Sequence, residues 1–216
     1  MDAFLQLFEK YKFALNIAQQ EKLEQFVELF QAYNARTNLS AIRDPEGIWL
    51  KHIADSLMPV NFEPFAGKLL DIGSGGGLPG IPLAIACPNV DITLLDSVGK
   101  KVKACEHFID KLGLHNIHVI QGRAERLDQQ HKFQNHFDIV TSRATAYLPT
   151  ILAWSEQFIK NDGRIILYKT ASSGELDDGA AAAKYLGLKL LHMHYYHLDG
   201  QERQILVYIH KASSKK

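Results

Sequence analysis

Two hydrophobic periods divide the chain. Leu23, Phe26, Val27, Phe30 and Tyr33 follow the spacing that gathers side chains into one stripe of an α-helix. The stripe stops at Asn34-Ala35-Arg36-Thr37-Asn38-Leu39-Ser40. Asp44-Pro45 then opens a second helix through Leu57, since aspartate caps free N–H groups and proline suits the first helical position. Pro59 and Pro64 mark the way out, so residues 1–60 read as a helical extension packed on the core. From Lys68 short apolar runs alternate with amphipathic helices, the pattern of a parallel sheet. Strands are predicted at Lys68–Ile72, Asp91–Leu95, Ile117–Gln121, Phe137–Ser142 and Arg164–Lys169, with a closing β pair at Leu188–Tyr196 and Gln204–His210. Helices are predicted at Pro79–Ala86, Pro149–Ile159 and Glu175–Leu186, and another carries Val98, Val102, Cys105, Ile109 and Leu112 on one face. The expected architecture is α/β: one doubly wound, mostly parallel, seven-stranded domain over 61–211, the helical extension before it and a basic tail at 212–216.

Composition narrows the function. A chain of 216 residues can bury a substantial core. Its 24 Lys and Arg balance 24 Asp and Glu, so any RNA contact must come from a local basic patch. Cys87 and Cys105 fall in predicted helices, which suggests reduced thiols and no disulfide framework. No apolar run approaches the roughly 18 residues of a membrane span. Met1-Asp2-Ala3 also lacks the basic start of a signal peptide. A cytoplasmic monomer without a membrane partner is expected.

The chemistry concentrates at strand ends, where a doubly wound sheet binds its ligand. The first strand runs into Asp71-Ile72-Gly73-Ser74-Gly75-Gly76-Gly77-Leu78-Pro79-Gly80. Glycines allow close ligand approach, and a helix opening behind them points unpaired N–H groups outward, which suits a nucleotide-like ligand carrying a carboxylate or a phosphate. A dinucleotide fingerprint would need its third glycine at 78, where Leu78 stands, and no Gly-Lys-Ser/Thr follows to make a Walker loop. The spacing from Asp71 through Gly73, Gly75 and Gly77 resembles the first motif of class I S-adenosylmethionine (SAM) methyltransferases. Asp96, ending the second strand, can accept both ribose hydroxyls or merely cap the next helix. The turn after the third strand offers the Ala124 and Glu125 backbone to an adenine edge, and the fourth strand ends Ser142-Arg143-Ala144-Thr145.

Taken in order, Asn34 through Pro45, Lys51-His52-Ile53-Ala54-Asp55-Ser56, Gly73–Pro82, Leu94-Leu95-Asp96-Ser97 and Ser142-Arg143-Ala144 resemble one family. It is that of the bacterial small-subunit (16S) ribosomal RNA (guanine-N7) methyltransferases, first named glucose-inhibited division protein B. The resemblance runs from about Asn34 to Tyr208. It implies a Rossmann-like fold, SAM as cofactor, and ribosomal RNA or an assembling small subunit as partner. It places Gly73, Leu78, Ala124, Glu125 and Arg143 at or beside the cofactor. Asp71, Gly75, Gly77 and Asp96 complete the expected pocket; Arg143 and Lys169 are the candidates for substrate positioning. Relatives often have Thr-Gly-Pro-Gly or Thr-Gly-Ala-Gly where this chain has Ser74-Gly75-Gly76-Gly77, a change that leaves loop shape intact.

Other chemistries lack their residues. The fourth strand is not followed by the Asn/Asp-Pro-Pro-Tyr-like motif of exocyclic amine methylation, and no cysteine follows position 105 to attack a pyrimidine. Ribose methylation would want an acid where Arg143 stands. Guanine N7 needs none of these, because its in-plane lone pair is free at neutral pH and catalysis is mostly positioning. His52, Asp55 and Ser56 share a helix face but lack the turn that exposes a nucleophile. His192 and His194 share a strand face while His197 points away, with no acid or cysteine completing a set, so no metal is expected. Lys100, Lys101 and Lys103 read as a solvated helix face, and Arg143 could pair with Glu125. Two rivals stay open: a small-molecule methyltransferase with a closed lid, and a non-catalytic SAM-binding cell-division factor.

Overall fold

The structure is a computed structural model that describes residues 9–127, 133–170 and 172–211; the basic tail at 212–216 lies outside them. Helix α1 (Ile17–Thr37) starts at a capping box, in which Asn16 accepts the Gln19 N–H and Gln19 returns the favour to Asn16. It buries Leu23, Phe26, Val27 and Phe30, with Asn34 in place of the half-buried Tyr33 completing the face. The Asn34 amide donates to the Ser40 and Ile42 carbonyls and accepts from the Ser40 N–H, so one buried side chain braces the following loop.

The single helix predicted from Pro45 is instead three short pieces. Helix α2 (Pro45–Ile48) passes into a π-helical segment (Trp49–Ala54), then α3 (Asp55–Leu57) and a 3-10 turn (Met58–Asn61). Every residue from His52 to Leu57 is buried, which a regular surface helix with one apolar stripe cannot achieve.

Seven strands form one sheet in the order β3-β2-β1-β4-β5-β7-β6. Strands β1 (Lys68–Ile72), β2 (Asp91–Asp96), β3 (Ile117–Gln121), β4 (Phe137–Arg143) and β5 (Ile159–Lys169) run parallel. Strand β7 (Gln201–His210) lies antiparallel between β5 and β6 (Leu188–Leu198). The β6–β7 hairpin closes at Asp199-Gly200, both with positive φ (52° and 70°), the backbone its tight turn requires. Helices α4 (Gly80–Ala86), α5 (Gly99–Leu112), α6 (Ala124–Leu127), α7 (Leu148–Glu156) and α8 (Ser173–Tyr185) complete the wrap. Fifth-strand pairing begins at Ile159, so α7 stops earlier than its apolar pattern suggested.

Alternate β1 side chains feed two cores. Leu69 joins Ile81, Leu94 and Phe108 under α1, whereas Leu70 and Ile72 join Val140, Leu148 and Ile151 on the other face. Helix α5 buries Val102, Ala104, Cys105, Phe108 and Leu112; Val98, expected on that face, is 38% exposed. The N-terminal helix is bound to this layer by more than grease. Phe26 meets Phe108 edge-on at 5.5 Å, Gln19 donates to the Ile85 and Ala86 carbonyls, and Lys22 to that of Leu112. These bonds satisfy carbonyls at the ends of α4 and α5. Both cysteines are free thiols; Cys105 is buried in α5, and Cys87 lies just past the end of α4. Among the described residues no helix is long and apolar enough to cross a membrane.

Candidate active site

The glycine loop leaves β1 beside β2 and turns on left-handed residues: Gly73 (φ +74°), Gly75 (+57°) and Gly77 (+87°). Most of its N–H groups, expected to face a ligand, are already used within the protein. Gly73 and Ser74 donate to the Leu95 carbonyl, Gly77 and Leu78 to that of Ser74, Gly75 to Asp96, and Gly80 to Asp71. The loop therefore offers shape and carbonyl oxygens, while a Cβ on Gly73 would stand 2.5 Å from Thr145.

Two acids hold this loop in different ways. Asp71 is fully buried beneath it, and burial pushes its carboxyl up to about 7 even though the Gly80 N–H opposes the rise. It lines neither of the cavities around the loop, so it shapes the turn from below. Asp96 accepts the Gly75 N–H on Oδ2 and the Val98 N–H on Oδ1, both at 2.8 Å. Asp96 therefore does not cap α5, whose N-cap Val98 has no side-chain partner; it braces the loop and the turn into that helix, and it lines a cavity.

That cavity, of about 300 Å³, is bounded by Gly73, Asp96, Lys101, Gly122–Glu125, Ala144 and Trp154. A second, of about 360 Å³, adjoins it through Gly73, Lys101 and Ala144. Its walls include Ser40, Lys51, His52, Asp55, Ser74, Gly75, Leu78, Arg143 and Arg203. Gly73, Asp96, Ala124 and Glu125 therefore fall in the inner cavity, and Gly75 and Leu78 in the outer mouth. Gly77 lines neither, and a Cβ there would meet Ile81 at 2.4 Å. Lys101 is not the solvated residue its neighbours Lys100 and Lys103 are; it sits where the two cavities meet.

Arg143 pairs with Asp55, not Glu125. Its Nη1 donates to Asp55 Oδ2 at 2.9 Å and to the Lys51 carbonyl at 3.1 Å, while Glu125 is exposed. Asp55, with a side chain 2% exposed, also receives the Tyr196 hydroxyl at 2.7 Å and Arg203 Nη1 at 3.3 Å. Two arginines are thus mounted on one buried carboxylate at the rim of the mouth. Lys169 lines an adjoining pocket with Arg143 and Arg203, but its Nζ is held by Glu175 and the Ala146 carbonyl, each at 2.7 Å. The His52–Asp55–Ser56 face makes no triad, since Ser56 Oγ donates to the His52 carbonyl and His52 Nε2 bonds Ser40 Oγ. Burial, reinforced by the nearby Arg143 charge, pushes His52 down to about 4 and keeps its ring neutral.

Lys101, Tyr196 and Arg203 were missed in the sequence. A topological signal existed for the last two. Because β7 runs antiparallel to β5, its beginning lies at the ligand edge, where Tyr196 of β6 pairs with Arg203.

A mostly parallel seven-stranded sheet with this glycine turn and strand-end acid defines a class I, Rossmann-like SAM-dependent methyltransferase. Solved structures share the fold. A SAM dependent methyltransferase from Aquifex aeolicus superposes with TM-score 0.60 at 14% identity, covering 80% of this chain and 97% of that one. The Bacillus subtilis M1A22 tRNA methyltransferase TrmK gives 0.60 at 17% identity, covering 75% and 68%. The model of the family rRNA small subunit methyltransferase G matches residues 19–206. The ribosomal RNA small subunit methyltransferase G of Streptococcus thermophilus strain CNRZ 1066 is 35% identical over 94% of this chain and 88% of its own length. That of Oenococcus oeni is 36% identical over 88% and 81%. The chain belongs to the rRNA small subunit methyltransferase G family.

Proposed function

We propose that this protein transfers a methyl group from SAM to N7 of a guanine in small-subunit (16S) ribosomal RNA, acting in the cytoplasm as a monomer. In this reading 1–60 is an extension that completes the mouth, 61–211 the catalytic domain and 212–216 a basic tail.

The residues present suit the cofactor. Asp96 suits ribose hydroxyls, the Ala124–Glu125 turn an adenine edge, and Lys101 a carboxylate, while Asp71 and Gly77 keep the loop in shape. Ser74 Oγ, buried at the mouth, has no hydrogen-bond partner among the described residues and is available to a ligand. When bound, SAM supplies an electrophilic methyl group on a sulfonium.

The observation that carries the substrate is the mouth itself. An electrically neutral chain gathers Lys51, Lys101, Arg143 and Arg203 around one opening against two acids, Asp199 on Lys51 and Asp55 on the arginines, so cations outnumber acids in the local basic patch that RNA requires. The carboxylate there, Asp55, is neutralised by its two arginines, so the mouth positions a nucleophile and removes no proton from it. Guanine N7 is a nucleophile of that kind. Arg143 is proposed to orient the base or a flanking phosphate, and Lys169 to hold the adjoining turn. Purified small subunits lacking the modification, incubated with radiolabelled SAM, should accept label at guanine N7. Cofactor binding without label would favour the division-factor reading, and label only on small molecules the other rival.

A further inference from the structure

His192 and His194 stand on one face of edge strand β6, two residues apart, and both rings reach the same oxygen. His192 Nδ1 lies 2.6 Å and His194 Nε2 3.0 Å from Glu63 Oε1. Glu63 comes from the turn before β1, far away in sequence, so the premise that no acid completes a set around these histidines fails. Its side chain is 2% exposed, and Arg164 Nη1 holds the other oxygen at 3.2 Å. Burial opposes its charge, but the bonds from both histidines and the Arg164 guanidinium keep the carboxyl below its usual range. Phe62 stacks on His194 at 4.7 Å and fixes that ring, whereas the His192 side chain is 48% exposed and leaves one side open to solvent.

We propose that Glu63, His192 and His194 form a binding site for a divalent cation of the zinc type, outside the methyl-transfer cleft. The three ligand atoms lie within 4.8 Å of one another. Tetrahedral zinc with ligands at about 2.0–2.1 Å places neighbouring ligand atoms roughly 3.4 Å apart, so Oε1 must withdraw from the rings by less than an ångström. Two imidazoles and one carboxylate suit zinc better than magnesium or calcium, and the solvent side supplies a fourth ligand as water. Arg164, by occupying Oε2, commits the carboxylate to one-oxygen ligation. Each ring would bind through an unprotonated nitrogen, His192 Nδ1 and His194 Nε2, with its proton kept on the other ring nitrogen, so the cation takes the place of the two hydrogen bonds to Glu63 and ties an edge strand to the turn entering the central strand. Tyr196 follows on the same face of β6 and holds Asp55, so the clamp steadies the mount of Arg143.

The test uses untagged full-length protein stripped of metal by chelator. Zn²⁺ is titrated by calorimetry against a competing chelator, and Co²⁺ by visible absorption. The wild-type protein should take up a single equivalent, show the intense absorption of tetrahedral Co²⁺, and melt at a higher temperature when loaded. His192→Ala and His194→Ala should each lose the equivalent and the absorption, with the metal-free melting temperature of the exposed His192→Ala variant showing that it is folded. His197→Ala, on the opposite face of the same strand, should bind as the wild type does. No Zn²⁺ bound by the wild type, or undiminished binding in both His192→Ala and His194→Ala, overturns the proposal.

Discussion

Replacing Asp96 with asparagine separates two tasks that one buried carboxylate performs. Its oxygens each accept a backbone N–H at 2.8 Å, from Gly75 and from Val98, and the residue is only 6% exposed. An amide accepts through one oxygen, so Asp96→Asn leaves one of those N–H groups facing an NH₂. Losing a hydrogen bond to a charged acceptor costs about 1.5–3 kcal/mol. In a chain of 216 residues each kcal/mol lowers the melting temperature by about 2–4 °C, giving a drop of roughly 3–12 °C without ligand. Asp96 also lines the inner cavity, and each of its oxygens has a second lone pair. If these receive the ribose hydroxyls, affinity for S-adenosylhomocysteine falls as well, by about tenfold for every 1.4 kcal/mol lost. Thermal melting without ligand and calorimetric titration, in one buffer, read the two effects separately. A lower melting temperature with unchanged affinity would refute the ribose role and leave Asp96 as a brace alone.

Three further outcomes are expected. Gly73→Ala should lower both melting temperature and affinity, because its Cβ meets Thr145 at 2.5 Å and adds to the left-handed strain. Gly75→Ala, with open space around it, should bear only strain of about 1–2 kcal/mol, and a valine there should abolish cofactor binding; equal melting temperatures for the two alanine variants would contradict this. Asp71 titrates at about 7 when folded against 3.8 ordinarily, so from about pH 4 to 7 the folded chain keeps a proton the unfolded chain has lost. Stability should fall as pH rises through that window, by up to about 4 kcal/mol; Asp71→Asn should flatten the slope, and parallel stability curves for variant and wild type would count against the assignment. Arg143→Ala should lose most methyl transfer while cofactor affinity changes less than in Gly75→Val, and lysine should rescue little: an ammonium can replace the one nitrogen, Nη1, that bonds both Asp55 and the Lys51 carbonyl, but not the rest of the planar fork proposed to orient the base or phosphate. Wild-type rates on purified subunits with Arg143→Ala would remove Arg143 from the mechanism.

The sheet was legible because strand signals are local: Lys68–Ile72 and Ile117–Gln121 appear at their predicted bounds, and apolar alternation places Leu69 and Leu70 in opposite cores. What was not legible depends on long-range meetings. The burial of six consecutive residues from His52 to Leu57 is one such case, since Phe30 of α1, Tyr168 of β5 and Tyr196 of β6 all meet this segment. The partner of Arg143 is 88 positions away, and the third ligand atom beside His192 belongs to a residue 129 positions earlier. Spacing found the residues in both cases but could not say which acid each would meet. The glycine turn was recognised as a ligand loop, yet most of its N–H groups bond within the protein, to Leu95, Ser74, Asp96 and Asp71. That bonding is a property of the finished loop and left no trace in the order of the glycines.

Mapping of 16S ribosomal RNA nucleosides by mass spectrometry, in a strain lacking this gene and in the same strain carrying the wild-type or the Arg143→Ala protein, tests the proposed reaction most directly. One N7-methylguanosine should disappear from the deletion strain, return with the wild-type protein and stay largely absent with Arg143→Ala. An unchanged set of N7-methylguanosines in the deletion strain would contradict the account.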